Sequence, residues 1–105
     1  MLAGIHPVNY GAIIEMEELL KLKGYSTSTI RTYRNEFSQF LVALQHNPVN
    51  HCDSQKIRSY MLYCHEHLKL TENTLHSRLN ALKFYFEQVL HREKLFVGEF
   101  SPKQR

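Results

Sequence analysis

The chain has 105 residues, 43% of them hydrophobic and 22% charged, and a formal net charge of +3. That length accommodates one domain with a single modest core, and the composition excludes the disordered and fibrous classes. No apolar run approaches the roughly 20 residues of a membrane-spanning helix, and no basic segment leads into an apolar signal core, so no membrane is expected and the cytoplasm is the expected compartment.

Residues 1–10 contain Gly4 and Pro7 without a periodic apolar pattern and read as a flexible lead-in. From there Ala12, Ile13, Met16, Leu19 and Leu20 recur at helical spacing, predicting a first helix from about residue 11 to Lys23, stopped by Gly24. Its carboxylates Glu15, Glu17 and Glu18 precede every basic residue, whereas residues 21–105 carry 13 basic against 7 acidic side chains. The later part of the chain is therefore expected to face an anionic partner.

The second helix carries the clearest stripe: Ile30, Tyr33, Phe37, Phe40, Leu41 and Leu44. Ser26 or Thr27 caps it, and Asn47-Pro48 is expected to end it. Its entrance lines a helix N-terminus with Ser26, Thr27, Ser28 and Thr29 and sets Arg31 and Arg34 in the first turns. Backbone N–H groups, a positive dipole end and short donors together suit a phosphate. The plainer reading of the same residues is a helix cap followed by solvated charges.

Asp53 or Ser54 caps a third helix with the stripe Ile57, Tyr60, Met61, Cys64 and Leu68. Cys52 and Cys64 are the only cysteines, and on this stripe Cys64 behaves as a small hydrophobe, consistent with a reduced compartment. The spacing of His51-Cys52 and Cys64-His65-x-His67 matches no standard zinc pattern, so no metal and no cofactor are expected. Thr71 opens a fourth helix with Leu75, Leu79, Leu82, Phe86, Val89 and Leu90 on one face and Asn73, His76, Ser77 and Asn80 opposite. Phe84 falls on the far side of that wheel, so either two sides of the helix pack or an aromatic is exposed. After Glu93 the periodicity lapses into a short extension with Leu95, Phe96, Val97 and Phe100, then a basic linker, Ser101-Pro102-Lys103-Gln104-Arg105. With no alternating strand pattern anywhere, the predicted class is all-α, four helices with short connections.

Helices two and four share an opening: Ser26-x-x-Thr29-x-x-x-Tyr33-x-x-x-Phe37-x-x-Phe40 in one, Thr71-x-x-Thr74-Leu75-x-x-x-Leu79-x-x-Leu82 in the other. Together with Lys23-Gly24-Tyr25-Ser26 and Leu79-Asn80-Ala81-Leu82-Lys83-Phe84-Tyr85-Phe86, this resembles the core-binding domain of tyrosine recombinases, the SAM-like N-terminal domain of phage and transposon integrases, over about residues 13–98. The resemblance implies a compact four-helix SAM-like bundle over residues 11–98 that clamps double-stranded DNA through the N-terminal halves of helices two and four. It implies DNA contacts from Ser26, Ser28, Thr29, Arg31 and Thr32 on one helix and from Asn73, Thr74, Ser77 and Arg78 on the other. It also implies other recombinase protomers as partners in a synaptic complex, and a bacterial, nucleoid-associated location. In this family a separate domain cuts DNA with an Arg, a Lys, a His-x-x-Arg pair and a Tyr nucleophile. No such set follows residues 99–105, so these read as the start of a linker in a piece of a longer protein, and this portion is expected not to be an enzyme. The alternative from another class is a small helical protein-interaction module with an exposed apolar patch formed by Phe84, Phe96 or Phe100.

Overall fold

A computed structural model describes residues 4–92 of the chain. Four α-helices follow one another: α1 (Tyr10–Leu22), α2 (Thr27–Leu44), α3 (Ser54–Glu66) and α4 (Glu72–Lys83). No strand occurs among the described residues, and the all-α four-helix class read from periodicity is the class observed. The expected extension and linker lie outside the described residues.

Each boundary has a local cause. At the end of α1, Gly24 adopts φ +82°, its N–H donates to the Lys21 carbonyl (3.0 Å), and the Tyr25 N–H donates to the Leu20 carbonyl (3.1 Å). This pair of bonds turns the chain sharply at a left-handed residue, which glycine adopts without strain. Helix α2 stops at Leu44, before Asn47-Pro48, because Gln45 turns left-handed at φ 55° and Asn47 Nδ2 donates to the freed Leu44 carbonyl (2.9 Å). Asp53, rather than Ser54, caps α3 by accepting the Lys56 N–H at 2.8 Å.

The chain ahead of α1 is more anchored than its sequence suggests. Ile5 is 4% exposed within the core, and Pro7–Asn9 form a 3-10 turn. The Asn9 side chain is buried; its Nδ2 donates to the Asn47 carbonyl (3.1 Å) and its Oδ1 accepts the Val49 N–H (2.8 Å). One amide thus satisfies both polarities of the loop between α2 and α3. From Ile5 onward the expectation of a flexible lead-in is corrected: a single-turn element leaves no periodic trace, yet two side chains hold it down.

The core is built from Ile13, Met16 and Leu20 of α1, Phe37, Phe40 and Leu41 of α2, Ile57 of α3 and Leu82 of α4, all sealed from solvent. Beyond Lys83 the α-helix gives way to a π-helical turn, Phe84–Val89. A π turn rotates less per residue than an α turn, so consecutive side chains stay on one side. Phe84, Tyr85 and Phe86 are accordingly all buried: Phe84 lies 5.8 Å from both Tyr25 and Tyr33, Tyr85 4.7 Å from Phe37, and Phe86 6.4 Å from Phe40. Of the two alternatives for Phe84, packing on a second side of the helix is the one observed. The end of the turn is held by Arg92, whose guanidinium donates to the Cys52 (2.5 Å) and Asn50 (2.6 Å) carbonyls and sits 5.0 Å over the Phe86 ring.

Candidate nucleic-acid interface

The two helix entrances singled out by their hydroxyls are built alike. Ser26 Oγ accepts the Thr29 N–H (3.2 Å) and donates to Thr29 Oγ1 (2.9 Å). Thr71 Oγ1 accepts the Thr74 N–H (3.2 Å) and donates to Thr74 Oγ1 (3.0 Å). In both, the capping residue holds extended backbone angles and closes one orphan amide of the first turn. At α2 the amides of Thr27 and Ser28 are left without helical partners, on exposed residues.

Around these caps the candidate residues separate. Ser26, Ser28, Arg31 and Thr32 are exposed on the outer side of α2, with Thr29 half-buried; Thr32 Oγ1 donates back to the Ser28 carbonyl at 3.1 Å. On α4, Asn73 is exposed, and Thr74 and Ser77 are half-buried. The entrances are not side by side. The seam between α2 and the last helical segment runs through Arg78 on Glu36, Phe84 on Tyr33, Tyr85 on Phe37 and Phe86 on Phe40, so the far end of α4 packs beside Tyr25 at the mouth of α2. Thr71 lies about 20 Å back along the α4 axis at 1.5 Å per residue.

Arg78 stands apart from the other candidates. It is only 7% exposed, and its Nε donates to Glu36 Oε1 at 2.8 Å. Its Nη1 reaches the Tyr60 hydroxyl (3.3 Å) and Cys64 Sγ (3.7 Å). Burial, the largest single influence, lowers its pKa, but the hydrogen bond to Glu36, the Tyr60 phenol, the Cys64 contact and the Glu36 charge together outweigh it and hold the guanidinium above its ordinary value. The guanidinium ties α2, α3 and α4 together and is not presented to a ligand. The signal was present in the sequence: Arg78 falls three residues after Leu75 and four before Leu82, and Glu36 stands in the same relation to Tyr33 and Phe40. A charge on the stripe of each helix marks a buried pair.

Sequence reading also missed a groove between the end of α1 and the start of α2. It has a volume of about 300 Å³ and is lined by Glu17, Lys21, Tyr25, Thr27, Ile30, Arg31 and Arg34. Glu17 Oε2 accepts from Arg34 Nη1 at 3.1 Å and lies 3.5 Å from Lys21 Nζ. Arg31 makes no ion pair among the described residues. The groove therefore sets three cations against one carboxylate, an excess of positive charge beside the positive end of a helix. Thr27, Ile30, Arg31 and Arg34 follow the i, i+3, i+4, i+7 rule, which is the legible part; their meeting Glu17 and Lys21 depends on how α1 and α2 pack.

Burial pushes the Tyr60 phenol well up, burial and then Tyr25 raise Tyr33, and burial lifts Tyr85 to about 12. Among the described residues no three His, Cys, Asp or Glu side chains come together as a metal site, and no helix is long and apolar enough to cross a membrane. The exposed apolar patch expected to include Phe84 is corrected by that ring's burial against Tyr25 and Tyr33; Phe96 and Phe100 lie outside the described residues.

Residues 13–94, which take in most of α1, the other three helices and the π turn, match the protein family described as phage integrase, N-terminal SAM-like domain. No curated protein and no solved structure matches the chain.

Proposed function

Because this chain belongs to the phage integrase N-terminal SAM-like domain family, we propose that it holds duplex DNA for a tyrosine-type recombinase. The observation that carries the reading is the α2 entrance: exposed hydroxyls and Arg31, no acidic residue in the first turn, and a groove alongside with three cations to one carboxylate. In this reading the amides of Thr27 and Ser28, the hydroxyls of Ser26, Ser28, Thr29 and Thr32, and Arg31 bind phosphate oxygens. Asn73, Thr74 and Ser77 on α4 supply further polar contacts, with Asn73 suited to a base edge. Arg78 serves by fixing α4 on α2, not by touching DNA. Strand cleavage belongs to a separate domain, and other protomers join on the DNA; the setting is a bacterial mobile element or phage acting at the nucleoid.

Fluorescence anisotropy of a labelled 30-base-pair duplex, titrated at several salt concentrations, tests this. Binding should weaken linearly on logarithmic axes, with a slope of about −0.9 for each phosphate neutralised. Absence of binding at low salt, or binding indifferent to salt, would exclude the reading and favour a protein-interaction module.

A further inference from the structure

The groove beside the α2 entrance already contains an anion of its own. Glu17 sits where Arg34 reaches across from α2 and Lys21 reaches up from the next turn of α1, at 3.1 and 3.5 Å from the same oxygen. Arg31, one turn before Arg34, lines the same space without an ion pair among the described residues. The groove thus holds its cations in two conditions, one open and two paired with a single carboxylate.

We infer that Glu17 is a built-in competitor for phosphate: its carboxylate takes the position between Arg34 and Lys21 that a DNA phosphate would occupy, and so limits the affinity of the α2 entrance. This inference rests on the DNA-binding reading above. A carboxylate and a phosphate accept the same forked N–H donors from a guanidinium, so they are alternatives for Arg34. The Glu17 and Arg34 side chains are 23% and 29% exposed, which leaves their attraction less screened than that of a fully solvated pair. Lys21, at 64% exposed, is held more loosely and is the first cation to be released. Seating a phosphate on Arg31 brings a second negative charge into the space that Glu17 occupies, and the two anions repel. Removing Glu17's charge removes the competitor and frees two cations at once.

Glu18 supplies the control. It is exposed, lies about 100° further round α1, and does not line the groove. The experiment is the salt-series titration on the same duplex with wild type, Glu17→Gln, Glu18→Gln, Arg34→Ala and the Glu17→Gln/Arg34→Ala double variant, each first checked by thermal melting. Glu17→Gln should tighten binding about fivefold or more at low salt and steepen the salt slope by about one to two. Glu18→Gln, with the same change in net charge, should tighten it by less than about twofold without changing the slope. Arg34→Ala should matter little in wild type and should erase most of the gain in the Glu17→Gln background. Glu17→Asp, which keeps the charge on a shorter arm, should fall between wild type and Glu17→Gln and provides a reading if the amide variant folds poorly. Equal effects of Glu17→Gln and Glu18→Gln would overturn the inference while leaving DNA binding intact. Weaker binding by Glu17→Gln would also overturn it, making Glu17 a support for Arg34 instead. A wild type that does not bind DNA at all overturns both readings together, so the two failures are distinguishable.

Discussion

The entrances to α2 and α4 solve one local problem in the same way and then part company. Each has a hydroxyl residue capping the amide three positions on, with matching bond lengths of 3.2 Å. Beyond the cap, α2 has no acid in its first turn and opens beside a groove of three cations, whereas α4 places Glu72 in its first turn. The Ser/Thr pattern is therefore fully explained by helix capping in both places, and what distinguishes a candidate phosphate site is the charge that tertiary packing brings alongside it. A hydroxyl-rich helix start is a poor sign of such a site taken alone.

The strongest way to break this comparison is to loosen the body that holds the two entrances apart. Arg78→Ala leaves the Glu36 carboxylate without its buried partner and should cost about 3–5 kcal/mol, as should Phe37→Ala through the cavity it opens. Urea denaturation should show both as large drops in midpoint. A loss under about 1 kcal/mol for Arg78→Ala, with weaker DNA binding, would return that side chain to the DNA-facing set.

A smaller effect comes from alkali. Tyr85 is sealed against Phe37 on the seam, and its folded pKa of about 12 stands above the ordinary 10.0. Between these values the unfolded chain gives up the phenolic proton and the folded chain keeps it, so the contribution is whole below pH 10 and is lost as pH rises towards 12. Two units correspond to about 2–3 kcal/mol. Tyr85→Phe should flatten the fall in stability over that window in pH-dependent denaturation; an unchanged fall would mean that another group dominates it.

Helix starts, apolar stripes and the turn at Gly24 were legible because each rests on a few neighbouring residues. Thr71 announces itself as the opening of its helix, Ser26 and Asp53 each as one of two adjacent cap candidates, and Phe37, Phe40 and Leu82 as core. The elements that escaped depend on partners distant in the chain. Asn9 is an ordinary polar residue until Asn47 and Val49 arrive, Phe84 faces outward until Tyr25 and Tyr33 cover it, and Glu17 is one carboxylate among three until Arg34 crosses to it. Of the proposed DNA contacts, the helix start could be read only as suited to a phosphate or as a plain cap, and the choice of Ser26, Ser28, Thr29, Arg31 and Thr32 came with the family resemblance. The groove beside them could not be read, since it belongs to the packing of α1 on α2.

The caps themselves allow a finer test. Ser26→Ala and Thr71→Ala each remove one capping bond and should destabilise by about 1 kcal/mol, equally if the two caps are the same device. DNA affinity should separate them, with the larger loss at Ser26, next to the groove cations. Equal losses in affinity would mean that α4 carries as much of the contact as α2.

The least disruptive variants are the most discriminating. Arg31 is exposed and makes no ion pair among the described residues, so Arg31→Ala should change stability by only a few tenths of a kcal/mol. If its guanidinium binds a phosphate, the same variant should make the salt slope shallower by about 0.9 and weaken binding to all duplex sequences alike. Asn73→Ala should be equally silent in stability and should leave the slope unchanged, because a neutral amide releases no counterion; its effect should vary with the base sequence presented to it. These two responses, measured on the same set of duplexes, divide the entrances by chemistry: a charge contact at α2 and a neutral, sequence-sensitive one at α4. A slope change at Asn73 without one at Arg31 would reverse that assignment while leaving both caps as they are.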